Sequence, residues 1–214
     1  GNGYQIGTSH GTFECEFLLV NFAPQIFSKI MGVEQPQSLE GSQIKINMLL
    51  KKLPRLKSGA DPKVAFAGTF HFDESYTEFE RAYQEAADGK IPEKIPAEMY
   101  CHTLTDTSIL GSELVASGYQ TLTLFGMHLP AKLFEKDNER AKQEVKGKLI
   151  KQLNNYLLDP IEECLAIAND GSLCIEVKSP LDIEADVSLP RGNIFQKDLS
   201  MPFREDDTEP SWGV

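Results

Sequence analysis

Apolar and polar residues alternate with a period of two along Ile44, Ile46, Met48 and Leu50, set against Lys45, Asn47 and Lys51. That pattern predicts a half-buried strand. A second alternation places Val64, Phe66, Gly68, Phe70 and Phe72 opposite Ala65, Ala67, Thr69 and His71, and predicts a strand with one bulky and one small-residue face. Residues 97–103 and 119–129 read as two more strands. The latter is uncharged on both faces, as suits a central position covered from both sides. Residues 4–8 and 12–20 predict a hairpin turned at Ser9, His10 and Gly11, and Leu173, Ile175 and Val177 predict a late strand.

Helical signals are spaced between these. Pro24 suits the first turn of a helix over 25–31, with Gly32 as its left-handed stop. Ser75 and Glu78 form a capping-box pattern for a helix that runs to about Asp88 and is ended by Gly89. The segment 89–96, with two prolines, is a loop. Asp137 caps a long helix reaching about Leu157, whose inner stripe is Val145, Leu149, Gln152, Leu153 and Tyr156. Asp159 and Pro160 predict another helix ending near 169–171, and Ser179 with Pro180 opens a short one. Strands often follow strands without an intervening helix, which excludes a doubly wound parallel sheet. The expected architecture is α+β: a mixed, largely antiparallel β-sheet with helices packed mainly on one face.

Composition adds limits. At 214 residues, 41% hydrophobic and 25% charged, the chain can bury a core of its own. A net charge of −11 argues against nucleic acid or anionic lipid as a partner, but says nothing about a neutral, apolar molecule. No apolar run approaches the roughly 18 residues that a membrane span requires, and no charged-then-apolar leader opens the chain. The ends, Gly1-Asn2-Gly3 and Ser211 to Val214, lack the marks of natural termini, so a cut chain is expected. Cys15, Cys101, Cys164 and Cys174 show no metal-ligand spacing and lie within apolar patterns, as structural thiols of a reducing compartment do.

The search for chemistry returns little. Gly1, Gly3 and Gly7 imitate a dinucleotide loop, but Ile6 occupies the third glycine's place and a strand follows where a helix is required. No nucleophile stands in a catalytic motif. His71 and Asp73 share a spacing that places both on one strand face, without further ligands in view, so His71 and His102 are expected to play hydrogen-bonded structural roles. His10 and His128 lie near turns and are expected to be solvated. Asp182 and Asp186 are one helical turn apart, yet Asp182 lies three residues after Ser179, which favours capping over a carboxylate pair.

Several segments, taken in order, resemble the phytoene desaturase-related FAD-dependent oxidoreductases. They are FLLVNFAP at 17–24, IKINMLLKKLP at 44–54, FERAYQEAADG at 79–89, Thr105 with Asp106, and SPLDIE at 179–184 followed by GNIF at 192–195. The resemblance implies a mixed-sheet substrate domain over 24–190. Strands in 1–23 would link it to a flavin-binding domain of the same polypeptide, and 191–214 would return toward that domain. It further implies dehydrogenation, desaturation or isomerisation of an apolar, isoprenoid-like molecule in the cytoplasm. FAD would be held by the parent protein and not by this chain, which would be inactive alone. Gly192, Asn193 and Gln196 become flavin-facing candidates, although Gln196 stands where many members carry histidine. Ala65, Ala67, Thr69 and His71 are the substrate-pocket candidates, since their small-residue face either borders an elongated pocket or packs closely under helices. A stand-alone module binding an apolar ligand, or an interaction module without catalytic activity, is the alternative.

Overall fold

The computed structural model describes residues 3–33 and 40–196. A hairpin of β1 (Tyr4–Thr8) and β2 (Gly11–Cys15) forms a two-stranded sheet of its own, and α1 (Pro24–Met31) follows, closed by Gly32 at φ 68°. The main sheet has five strands in the order β4-β5-β6-β3-β7: β3 is Ile44–Leu50, β4 Thr69–Phe72, β5 Ala97–Tyr100, β6 Gln120–Gly126 and β7 Ile175–Lys178. The expected α+β class is what the structure shows, and every pairing among the described strands is antiparallel. β6 occupies the centre, as its two uncharged faces require.

Strand pleat explains which face is packed. Ile44, Ile46, Met48 and Leu50 of β3 are fully buried and pair in register with Gly126, Leu124, Leu122 and Gln120 of β6. Met99 lies beside Leu124, and Phe70 beside Met99. Against this face runs the long helix α5 (Asn138–Asn154), which buries Ala141, Val145, Leu149, Ile150 and Leu153. The helix sits close because β6 ends in glycine: a β-carbon on Gly126 would lie 2.9 Å from Leu149 Cδ1 and 3.0 Å from Ile44 Cγ2. Asp137 caps α5, accepting from the Arg140 amide at 3.1 Å. Helix α3 (Tyr76–Ala87) starts at Ser75, whose hydroxyl accepts from the Glu78 amide. At α7 (Pro180–Val187) the capping box is complete: Asp182 Oδ2 accepts from the Ser179 amide at 2.9 Å and Ser179 Oγ from the Asp182 amide at 3.2 Å. Capping is therefore the role of Asp182.

Two strands are shorter than expected, 12–20 closing at Cys15 and 97–103 at Tyr100, and two further expectations fail, each for a local reason. Residues 64–72 are not one strand. Asp61 accepts from the Lys63 amide at 2.9 Å and Pro62 fixes the first turn, so Pro62–Ala65 forms a short helix, α2, and only Thr69–Phe72 is extended. The helix expected after Pro160 is a single turn, α6 (Ile161–Cys164). It stops because the Leu49 and Lys51 backbone captures the chain: Ala166 donates to Leu49 O at 2.8 Å and Lys51 to Cys164 O at 2.9 Å. The remaining short helix, α4, is Ser112–Ala116.

Candidate functional site

The face of the main sheet opposite α5 carries most of the sheet's polar side chains. Its side chains form rows across the strands: Thr69, Tyr100, Thr123, Asn47 and Glu176 in one, and His71, Glu98, Phe125 and Lys45 in the next. Thr123 Oγ1 donates to Asn47 Oδ1 at 3.4 Å, and Asn47 Nδ2 to Glu176 Oε2 at 3.0 Å. That last bond, reinforced by Lys178, lowers the Glu176 carboxyl pKa. Tyr100 stacks on His102 with ring centroids 6.0 Å apart and planes within 4°, and meets Phe125 edge-on.

A groove of about 550 Å³ crosses this face over β3, β6 and β7. Leu49, Thr121, Thr123 and Asn47 contribute to its floor, while His102 and Ile109 on one side and Leu173 and Cys174 on the other border it. The walls come from chain outside the strands, the 3₁₀ turns at His102–Leu104 and Thr107–Ile109 and the bend before β7. One polar atom in the groove is conspicuous: Thr121 Oγ1 is buried without a hydrogen-bond partner among the described residues. A second groove of similar size, lined by Lys146, Ile150, Asn154 and Leu165, lies on the helical side.

The small-residue candidates divide. Thr69 and His71 lie on edge strand β4 and share the face that holds the groove. Ala65 belongs to α2 and packs against the core, while Ala67 sits in the following turn, exposed. These four do not form one surface. The groove residues that sequence periodicity failed to single out, Thr121, His102 and Cys174, come from three separate segments and share no motif.

His71 has company that linear spacing did not show. Its Nδ1 lies 2.5 Å from Glu74 Oε2, and Glu98 stands directly opposite it on β5. One ligand atom from each of the three lies within 4.8 Å of the others. Burial raises the Glu74 carboxyl pKa, against the downward pull of the His71 bond. His128 is half buried, not solvated: its ring meets Phe79 and Tyr83 edge-on, and burial lowers its pKa.

The flavin-facing candidates occupy a packed corner. Gly192 is buried at φ 68° with Pro180 against it, where a β-carbon would lie 2.6 Å from Pro180 Cα. Asn193 is 7% exposed and its Oδ1 accepts from the Phe195 amide at 3.0 Å. The Gln196 carbonyl accepts from Gln25 Nε2 at 2.6 Å. A dinucleotide requires a glycine turn that delivers backbone amides at a helix N-terminus. Gly3 and Gly7 instead flank and join a hairpin strand, and Gly192 is wedged between Pro180 and Gly41. The described residues thus do not fit a pyrophosphate cradle. Residues 197–214, the greater part of the expected return segment, lie outside the described residues.

No family model matches the chain. Uncharacterized proteins of Mycobacterium bovis and of two Mycobacterium tuberculosis strains are 38% identical to it over 205 residues, which cover 92% of this chain and 38% of each relative. The chain therefore spans less than two fifths of the length of the curated relatives it matches.

Proposed function

We propose that this chain is the substrate-facing lobe of a longer FAD-dependent oxidoreductase related to the phytoene desaturases. The observation that carries the reading is the groove on the face of an antiparallel sheet opposite α5. Such a face, with a mixed apolar and polar floor and walls made of loops, suits a ligand sandwiched between this lobe and another. The series of short motifs that resemble that family supports the chemistry, and the greater length of the mycobacterial relatives supports a larger parent.

In this reading the flavin is held by another domain of the same polypeptide and supplies the redox chemistry. Leu49, Ile109 and Leu173 offer apolar contact to an isoprenoid-like substrate, and the Thr121 hydroxyl offers a polar handle. The isolated lobe has no turnover of its own. Four free cysteines suit a reducing, cytoplasmic setting, and no described helix is long and apolar enough to cross a membrane.

Expression of the intact reading frame tests this. The full-length protein is expected to purify yellow, with FAD bound, while residues 1–214 purify colourless. In the full-length enzyme, Thr121→Phe is expected to raise KM with the flavin content unchanged. A colourless full-length protein, or stoichiometric FAD on the isolated chain, would overturn the reading.

A further inference from the structure

We propose that His71, Glu74 and Glu98 form a binding site for a divalent transition cation, open to solvent on the side of the sheet opposite α5. The three residues come from an edge strand, the turn after it and the neighbouring strand, so pairing of β4 with β5 assembles them. A ring nitrogen of His71 and a carboxylate oxygen from each glutamate lie within 4.8 Å of one another. Ligands placed tetrahedrally at ~2 Å from zinc are separated by roughly 3.3 Å, a closure that side-chain rotation supplies. One imidazole with two carboxylates is a donor set for zinc, manganese or iron(II), while soft copper(I) prefers sulfur.

A second observation points to a ligand. Glu74 Oε1 is buried and has no hydrogen-bond partner among the described residues. Its partner oxygen already faces His71, and no lysine or arginine among the described residues pairs with Glu74 or Glu98. The neighbouring ammonium of Lys94 is engaged by Glu78 and Asp73. Two carboxylates thus face one imidazole with no fixed cation between them, and a dication would supply the missing charge and satisfy the orphaned oxygen. The turn that carries Glu74 is held firmly: Asp73, at φ 54°, accepts from Gln152 Nε2 at 2.7 Å and from the Tyr156 hydroxyl at 2.9 Å. Three protein ligands leave a position for water or for an oxygen of a bound molecule, the pattern of a reactive rather than a closed structural site. The proposal does not depend on the flavoenzyme reading.

Calorimetric titration of untagged protein with zinc, paired with cobalt(II) absorption spectra, tests it. One zinc per chain is expected, with a cobalt d–d band that reports low-coordinate nitrogen and oxygen ligands. His71→Ala and Glu98→Gln should each weaken binding by about tenfold or more, while His102→Ala, an exposed histidine on the same face, should leave it unchanged. Both ligand positions are at least partly exposed, and far-ultraviolet circular dichroism confirms that the variants fold. Absence of saturable binding to the unaltered protein, or equal affinity in His71→Ala, would overturn the proposal. So would an equal loss in His102→Ala, which would mark general surface chelation.

Discussion

Gly41 and Gly192 meet backbone to backbone: a β-carbon on Gly41 would lie 2.2 Å from the Gly192 carbonyl oxygen. The Gly41 amide donates to the neighbouring Arg191 carbonyl at 3.0 Å, and Arg191 spans Glu40 and Glu135 at 2.8 and 2.7 Å. Because the obstacle is main chain, rotation of a side chain cannot relieve it. Gly41→Ala should lower stability by about 2–3 kcal/mol, as overpacking does. Gly147, inside α5 with open space around its missing β-carbon, gives the contrast: Gly147→Ala should add about 0.5–1 kcal/mol. Urea denaturation of the two variants checks both signs.

Gln152 sits on the buried stripe of α5, where its amide clamps the loop before β5. Its Oε1 accepts from the Ile95 amide at 3.0 Å, while Nε2 donates to the Ile95 carbonyl at 2.9 Å and to Asp73. Ile95 is fully buried, so Gln152→Leu would leave both of its backbone groups without partners. A loss of about 2–4 kcal/mol is expected, read as an earlier denaturation midpoint with an unchanged slope.

Asp159 joins the loop after β3 to the turn before α6. It accepts from Arg55 Nη2 at 2.7 Å, Nε at 2.9 Å and the backbone amide at 3.0 Å. Those bonds hold its carboxyl well below the usual aspartate range, the Arg55 side chain contributing most. A depressed folded pKa gives stability that is fully present above the unfolded value of about 3.9 and is lost as pH falls through the folded value. Asp159→Asn should therefore melt below the unaltered protein at neutral pH, and the gap should close in strong acid. Melting curves across that range decide it.

The thiols should separate by burial. Cys101 and Cys164 are 4% and 0% exposed, and burial raises both pKa values, whereas Cys15 and Cys174 are only half buried. Iodoacetamide should label Cys15 and Cys174 first, and Cys101 and Cys164 only on unfolding; peptide mass spectrometry reads the order.

Much of the scaffold was legible because local signals agreed with tertiary demand. The alternation along 44–50, the serine and aspartate caps, and Gly32 each describe what the backbone does there. Over 64–72 the apolar alternation competed with the cap and proline at Asp61 and Pro62, and the cap prevailed. A consequence is that Ala67→Phe, at an exposed turn, should leave the groove unchanged. Of the His71 cluster only His71 was legible: its expected neighbour Asp73 turns instead to Gln152 and Tyr156, and Glu98 reaches the cluster through strand register, which no spacing along the chain encodes. Gly192 stood out in the sequence only through the family resemblance, whereas its need for glycine comes from Pro180 and Gly41 pressing on it.

The division of the five-stranded sheet into a side backed by α5 and a half-buried side has an evolutionary corollary. Along β3, positions 44, 46, 48 and 50 anchor the fold, whereas 45 and 49 are half-buried on the other face and Asn47 between them is tied to Thr123 and Glu176. Lys45 and Leu49 are thus the positions of this strand at which the surface can be rewritten while the intervening residues keep the protein folded.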